Sequence, residues 1–424
     1  MKHESNAKFR TSDVAVVGLG YIGLPTAAVI ARSGYRVLGI DVNPHVVETI
    51  GSGRIHIEEV DLDGLVRGVV ERGLLRTAMQ PEPADFFLIA VPTPFAEGHV
   101  PDVSYLLAAV RSLAPVLKRG DTVIIESTSP VGTTEQVRDI LEELRPDLAF
   151  PHEGRDGADI AVCYCPERVL PGQILVELIK NDRCIGGITP ACAARARAFY
   201  KRFVAGECVV TAARTAEMVK LVENSFRDVN IAFANELSVV CDTMRLNVWD
   251  VIALANRHPR VNVLQPGPGV GGHCIAVDPW FIVHADPVNA RMIRTAREVN
   301  DGKVDYVADR VAALLAERPD ARCACLGLAF KANIDDLRES PSVKVVEHLA
   351  ERVGDRIDVV EPFVIELPDE LQGKGLTLVD LHVALARCEV VVVLVDHEVF
   401  KSVDRALLRG KRIYDTRGLW RDLA

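Results

Sequence analysis

Val14-Ala15-Val16-Val17-Gly18-Leu19-Gly20-Tyr21-Ile22-Gly23 is the stretch whose reading decides the fold. An apolar run ends in Gly-x-Gly-x-x-Gly, and a helical pattern follows. A second run, Arg36 to Asp41, closes on an acid eighteen residues beyond Gly23. Strand, glycine turn, helix, strand and acid, in that order, predict a dinucleotide site. Gly18, Gly20, Tyr21, Ile22 and Gly23 form the expected cradle, which rests a pyrophosphate on the positive end of the helix. The Asp41 carboxylate would accept hydrogen bonds from the adenosine ribose and repel the extra phosphate of NADP. The predicted cofactor is therefore NAD. The competing reading is a glycine turn with no ligand.

Outward from this motif the alternation continues. Phe86 to Val91 and Thr122 to Glu126 are further apolar runs, each bounded by turn residues and separated by helical patterns. Two of these runs lead into hydroxyl-bearing loops, Val91-Pro92-Thr93-Pro94 and Ser127-Thr128-Ser129-Pro130. Ligands in open α/β sheets lie beyond the carboxyl ends of strands, so Thr93 and Thr128 are candidate contacts. Turn formation by Pro and Thr competes with that reading. Thr215 to Asp242 reads as one long helix without proline, followed by a Pro/Gly-rich loop from Asn256 to Pro279 and helical periodicity from Asn289 towards Ala316. Strand signals return at Arg322–Leu328, Arg356–Val360, Val390–Asp396 and Arg412–Asp415. The predicted fold is α/β: two doubly wound, Rossmann-like parallel-sheet domains joined by a central helical domain, with boundaries at 1–205, 206–316 and 317–424. No local motif shared by the two α/β halves is visible.

Composition narrows the class. The 424 residues are 49% hydrophobic and carry a formal charge of −10, which argues against wholesale nucleic-acid binding. Met1 to Asp13 is polar with no apolar h-region, and no apolar run nears the ~20 residues of a spanning helix, so neither secretion nor membrane insertion is expected. Ten cysteines in such a chain suggest reduced thiols in the cytoplasm. Cys163/Cys165 and Cys323/Cys325 sit in apolar runs and read as packing residues. With no CxxC and no HExxH, no metal is predicted.

The run Gly267-Pro268-Gly269-Val270-Gly271-Gly272-His273-Cys274, with Asp278 four residues on, carries the chemistry. Its glycines would let the backbone approach a ligand. A cysteine beside a nicotinamide site suggests oxidation through a covalent adduct. Lys220, Asn224 and Arg227 share one face of the long helix. Lys220 could stabilise an oxyanion and Asn224 could orient water, although a solvated polar stripe has the same spacing.

Several motifs together resemble the UDP-glucose/GDP-mannose dehydrogenase family: GLGYIGLPTA (18–27), STSPVGTT (127–134), CPERVLPG (165–172), the Lys220/Asn224 helix, GPGVGGHC (267–274) with Asp278, and GLAFK (327–331) with DLRES (336–340). The resemblance implies an NAD domain, a helical dimerisation domain and a domain for the nucleotide end of a UDP-sugar, in a homodimer or higher homo-oligomer. It makes Cys274 the nucleophile and Lys220 the support for proton transfer and the oxyanion. Asn224 and Asp278 would position water, with Thr128 beside it, and Glu167 would be an acid near the reacting sugar. Arg260 would reach the substrate of the partner subunit, while Lys331 and Arg338 would be the basic residues of the last domain. The run Asn256–Pro266, with Lys180–Arg183, resembles the UDP-N-acetylmannosamine branch, which adds Arg168, Val169, Arg227, His258 and Gly271 as substrate contacts. His273 departs from the serine of the UDP-glucose enzymes, a difference that bears on the sugar rather than the chemistry. The rival readings are the same chemistry on UDP-N-acetylglucosamine or UDP-glucose, a two-electron hydroxyacid or 6-phosphogluconate-type dehydrogenase, and a non-catalytic sensor of NAD or nucleotide sugar.

Overall fold

The computed structural model describes residues 12–421 apart from residues 156, 171 and 273, so the polar N-terminal run up to residue 11 and His273 lie outside the described residues. The chain packs as two compact units, Met1–Val222 and Glu223–Ala424. The helix Ala213–Met244 contains the boundary.

The first unit is built on an eight-stranded sheet. Its spatial order is Cys208–Ala212, Arg183–Gly187, Ala161–Tyr164, Thr122–Ile125, Phe86–Ile89, Val14–Val17, Val37–Ile40 and Leu75–Ala78. Val14–Val17, Val37–Ile40, Phe86–Ile89 and Thr122–Ile125 are the strands read from the sequence, and the first two and the last are wholly buried. Apolar side chains on both faces bury against helices on either side, which is why these runs are continuous rather than alternating. Residues such as Val14, Val16 and Leu88 enter one core, and Ala15, Val17 and Ile89 the other. The order in which strands are added along the sheet switches between the parallel neighbours Val14–Val17 and Phe86–Ile89, the position at which open α/β sheets take ligands beyond the strands' carboxyl ends. One strand pair departs from the parallel expectation: Ala161–Tyr164 and Arg183–Gly187 run antiparallel. The intervening chain carries Glu167 and then the short helix Ile174–Lys180, whose Ile174, Leu175 and Leu178 enter the core.

In the second unit five strands pair wholly in parallel, in the order Thr377–Leu378, Ile357–Val360, Cys323–Leu326, Val390–Val393 and Arg412–Asp415. The long helices Ala213–Met244 and Arg291–Ala316 are cross-linked along their length by buried polar pairs. Arg297 Nη1 donates to Asp228 Oδ1 at 2.6 Å, Asn235 Nδ2 to Asn300 Oδ1 at 2.9 Å, and Lys303 Nζ to Ser238 Oγ at 2.6 Å. Burial pushes the Lys303 ammonium down to about 8.

The two α/β halves share a local device that leaves no visible motif in the sequence. Gly18 has φ +88° and its N–H donates to Ile40 O at 2.8 Å; Gly327 has φ +95° and its N–H donates to Val360 O at 2.8 Å. In each half the acid ending the second strand accepts from the turn: Asp41 from Leu19 N, and Glu361 from Leu328 N and Ala329 N. Only Gly-Leu and a distant acid are common to the two, too little for a sequence signal.

Candidate active site

The glycine turn of the first unit assigns its three glycines distinct duties. A Cβ at Gly18 would stand 2.6 Å from Ala90 O, and one at Gly23 would stand 1.7 Å from Gly18 O. Packing within the chain therefore demands both. A Cβ at Gly20 would meet nothing within 4 Å, so this glycine leaves open space in front of the turn. The helix Gly23–Arg32 begins there with no side-chain cap and no acid in its first turn. Asp41 holds the turn by accepting from Leu19 N at 3.0 Å and from Asn43 N at 2.9 Å. An open, uncapped helix start bounded by an anchored carboxylate fits a dinucleotide pyrophosphate and ribose.

Beyond the neighbouring strands, Ser127 Oγ donates to Val91 O at 2.8 Å and ties the Thr93 loop to the Thr128 loop. Both threonines are half-buried. Glu217, absent from the sequence reading, fixes the far end of the second loop. Its carboxylate accepts from Gly132 N at 2.6 Å, Thr134 N at 2.8 Å and Thr134 Oγ1 at 2.5 Å. The two N–H groups and the hydroxyl belong to the start of the helix Thr133–Leu144, which has no side-chain cap of its own, so Glu217 caps it from one turn before Lys220. Lys220 itself is buried.

Glu167 is held on both oxygens. Oε1 accepts from Arg168 N at 2.6 Å and Oε2 from Arg183 Nη1 at 2.7 Å. Beneath this pair, Glu126 is fully enclosed and accepts from Tyr200 OH at 2.6 Å. Burial pushes the Glu126 carboxyl up to about 7, against the lowering pull of the Arg183 charge. Arg168 donates through Nη2 to Asp182 O, and Val169 packs on the core. The sequence marked Arg183 through the Lys180–Arg183 run, but not as the partner of Glu167.

In the second unit, Cys274 heads the turn into the helix Asp278–Ala285: its carbonyl accepts from Val277 N at 3.1 Å and Asp278 N at 2.9 Å. Asp278 is thus the first residue of a helix, where the sequence suggested loop to residue 279; Pro279 is well placed there because its missing N–H would have no helical acceptor. The Asp278 side chain is buried and accepts from Asn224 Nδ2 at 2.5 Å. The structure therefore groups Cys274, Asp278 and Asn224. Arg227 is exposed on the same helix. His258 and Arg260 lie exposed in a loop pinned by Asn256, whose side chain donates to Val263 O at 2.9 Å and accepts from Val263 N at 2.7 Å.

The glycines before Cys274 serve the fold more than the sequence suggested. A Cβ on Gly267 would lie 2.6 Å from the Arg417 guanidinium, and one on Gly271 would lie 2.6 Å from Pro341 Cδ and 2.7 Å from Glu339 O. These approaches are to the chain itself. Lys331 is half-buried, and Arg338 donates to Asp336 from Nε at 2.8 Å and from Nη2 at 2.5 Å. Among the described residues no group of three or more His, Cys, Asp or Glu side chains is gathered as a metal would need, and no helix is long and apolar enough to cross a membrane.

Comparison with known proteins matches residues 12–204 to the NAD binding domain, 214–302 to the central domain and 324–422 to the UDP binding domain of one family. The chain belongs to the UDP-glucose/GDP-mannose dehydrogenase family. As a member of it, the protein is an NAD-dependent nucleotide-sugar dehydrogenase. It is 58% identical over 412 residues to an NDP-N-acetyl-D-galactosaminuronic acid dehydrogenase of Ralstonia nicotianae, covering 97% of this chain and 96% of the relative. It is 58% identical over 417 residues to the UDP-N-acetyl-D-mannosamine dehydrogenase of Yersinia pestis, covering 96% and 99%. The solved UDP-D-ManNAc dehydrogenase of Pyrococcus horikoshii superposes with a TM-score of 0.86 at 39% identity, over 96% of this chain and 95% of that one.

Proposed function

We propose that this dehydrogenase oxidises the C6 alcohol of UDP-N-acetyl-D-mannosamine to the carboxylate of UDP-N-acetyl-D-mannosaminuronate, in two steps on Cys274. The observation that carries the chemistry is the grouping of Cys274 with the Asn224–Asp278 pair at the head of a helix. In this reading the alcohol first loses a hydride and a proton to become an aldehyde. The Cys274 thiolate adds to that carbonyl, giving a thiohemiacetal. Loss of a second hydride leaves a thioester, and water releases the acid and the thiolate. Two NAD molecules, bound in succession, would each accept one of the two hydrides. Lys220 supports the proton transfer and the oxyanion. Asn224 and Asp278 position the water, with Thr128 beside it and Glu167 near the sugar. Arg168, Val169, Arg227, His258, Gly271, Lys331 and Arg338 contact the substrate, whose nucleotide end belongs to residues 317–424, with the NAD domain at 1–205 and the helical domain at 206–316.

The sugar is inferred from the Asn256–Pro266 run and from the Yersinia pestis relative. The equally similar Ralstonia nicotianae relative supports a second reading, an N-acetylgalactosamine-type sugar. A site that hydrogen-bonds an acetamido group rejects a sugar lacking it, because its own polar groups are left unpaired. We expect kcat/KM for UDP-N-acetylmannosamine to exceed that for UDP-N-acetylgalactosamine, UDP-N-acetylglucosamine and UDP-glucose in one NADH assay. A higher value for any of the other three would overturn the substrate assignment. We further propose a homodimer. The long helix exposes an apolar stripe at Met218, Val222, Phe226, Phe233, Val240 and Met244, which a second copy would cover, and Arg260 would then reach that copy's substrate.

A further inference from the structure

The loop that carries Cys274 is held at both ends by one helix. At its end, Asn224 donates to Asp278. At its start, Gly267 N–H donates to Asn235 Oδ1 at 2.8 Å. Asn224 and Asn235 are eleven residues apart on the helix Ala213–Met244, about 16 Å along its axis, and the loop spans the same number of residues. Asn235 is itself fixed from behind. Its Nδ2 donates to Asn300 Oδ1 at 2.9 Å, and Asn300 Nδ2 donates to Asp228 Oδ1 at 2.8 Å. Arg297 Nη1 donates to the same Asp228 oxygen at 2.6 Å. Asp228, Asn235, Arg297 and Asn300 are all at most 2% exposed. Donation runs from Gly267 through Asn235 and Asn300 to Asp228, which also accepts from Arg297 on its other side, so the Asn235 amide has one orientation only. Its oxygen is available for the loop because its nitrogen is committed to Asn300. Four enclosed polar side chains carry a desolvation cost that two plain packing helices would avoid, and the chain ends on a backbone N–H of the catalytic loop rather than on the opposite helix.

We propose that Asn235, supported by Asn300, Asp228 and Arg297, is a positioning residue that sets the Cys274 loop for the oxidation described above. The inference rests on Cys274 being the nucleophile. A displacement of about 1 Å in a reacting group can lower a rate about 100-fold, so loss of the anchor should act on kcat. Asn235→Ala should lower kcat at least ten-fold while the KM for NAD stays within two-fold. Amide hydrogen exchange in peptides covering Gly267 and Cys274 should quicken several-fold, with peptides of the NAD domain unchanged. Asn235→Asp, which keeps the acceptor for Gly267, should recover part of kcat. Asn300→Ala, which leaves that acceptor in place without its support, should show the same pattern more weakly, and its effect should not add to that of Asn235→Ala. If Asn235→Ala is too unstable to purify, Asn300→Ala and Asn235→Asp carry the same comparison. Wild-type kcat and exchange in the variants, or exchange that quickens equally throughout the protein, would overturn the proposal. The exchange measurement needs no substrate. A wild type that turns over none of the sugars would defeat the functional reading and leave the anchor to be judged by exchange alone.

Discussion

Cys274 and Glu126 are two titratable residues with opposite environments. Cys274 is half-exposed at the head of a helix turn, where a nucleophile can be reached. The nucleophile role proposed for it predicts two NADH per sugar and no aldehyde in solution. Cys274→Ala should abolish acid formation by at least a thousand-fold while NAD affinity, measured by calorimetry, stays near that of wild type. Glu126 is enclosed, and its carboxyl is pushed from an ordinary 4.5 up to about 7, chiefly by burial. Because the folded state holds this proton more tightly than the unfolded chain, its stabilising contribution is complete below pH 4.5 and is lost as pH rises through about 7. At ~1.4 kcal/mol per unit, the loss is about 3 kcal/mol. Glu126→Gln keeps an acceptor for Tyr200 and cannot ionise. The wild type should therefore lose about 3 kcal/mol relative to this variant across that window, read by urea unfolding at several pH values. A constant difference across the window would show that Glu126 does not hold the proton.

The glycine-bearing turns illustrate what an element can demand. Gly20 and Gly271 belong to similar-looking motifs and face opposite surroundings. A methyl group on Gly20 enters open space, where the pyrophosphate would lie. Gly20→Ala should keep the wild-type melting temperature and lose NAD affinity about ten-fold or more. A methyl group on Gly271 collides with Pro341 and with the Glu339 carbonyl, and backbone cannot step aside as a flexible side chain can. Gly271→Ala should cost about 1–3 kcal/mol of stability by overpacking, and should lower kcat because the same loop carries Cys274. Equal melting temperatures for the two variants would contradict this division of roles. Glu217 acts at the same scale. It caps the helix after the Thr128 loop from the helix that carries Lys220, and so joins two segments that the proposed chemistry uses together.

Over the whole molecule, the exposed stripe on the helix Ala213–Met244 is the feature a monomer would not be expected to keep. Phe226 is 69% exposed and Phe233 57%, seven residues apart on one face. The double substitution Phe226→Asp and Phe233→Asp should convert a dimer to monomer in analytical ultracentrifugation. Activity should fall as well, because Arg260 would no longer reach a second copy's substrate. A wild type that sediments as a monomer would remove the dimer proposal and, with it, this role for Arg260.

The local motifs were decisive wherever a property repeats along the chain or is complete within a few residues. Continuous apolar runs marked Val14–Val17, Val37–Ile40, Cys323–Leu326 and Val390–Val393, because strands buried on both faces have no polar alternation. The glycine turn with Asp41, the long helix and the Cys274 loop were legible for the same reason. Tertiary structure alone decided the antiparallel placement of Arg183–Gly187, the shared turn device of the two halves, and the partners of the buried polar groups. Glu217 meets its helix start 83–85 residues away in sequence, and Asn235 meets Gly267 across 32. A buried polar atom must find a partner, but its side chain and sequence spacing do not specify which one; that choice is made when distant elements pack. The amino-acid sequence thus determined which residues are candidates for the chemistry, and the packing of distant segments determined what holds them in place.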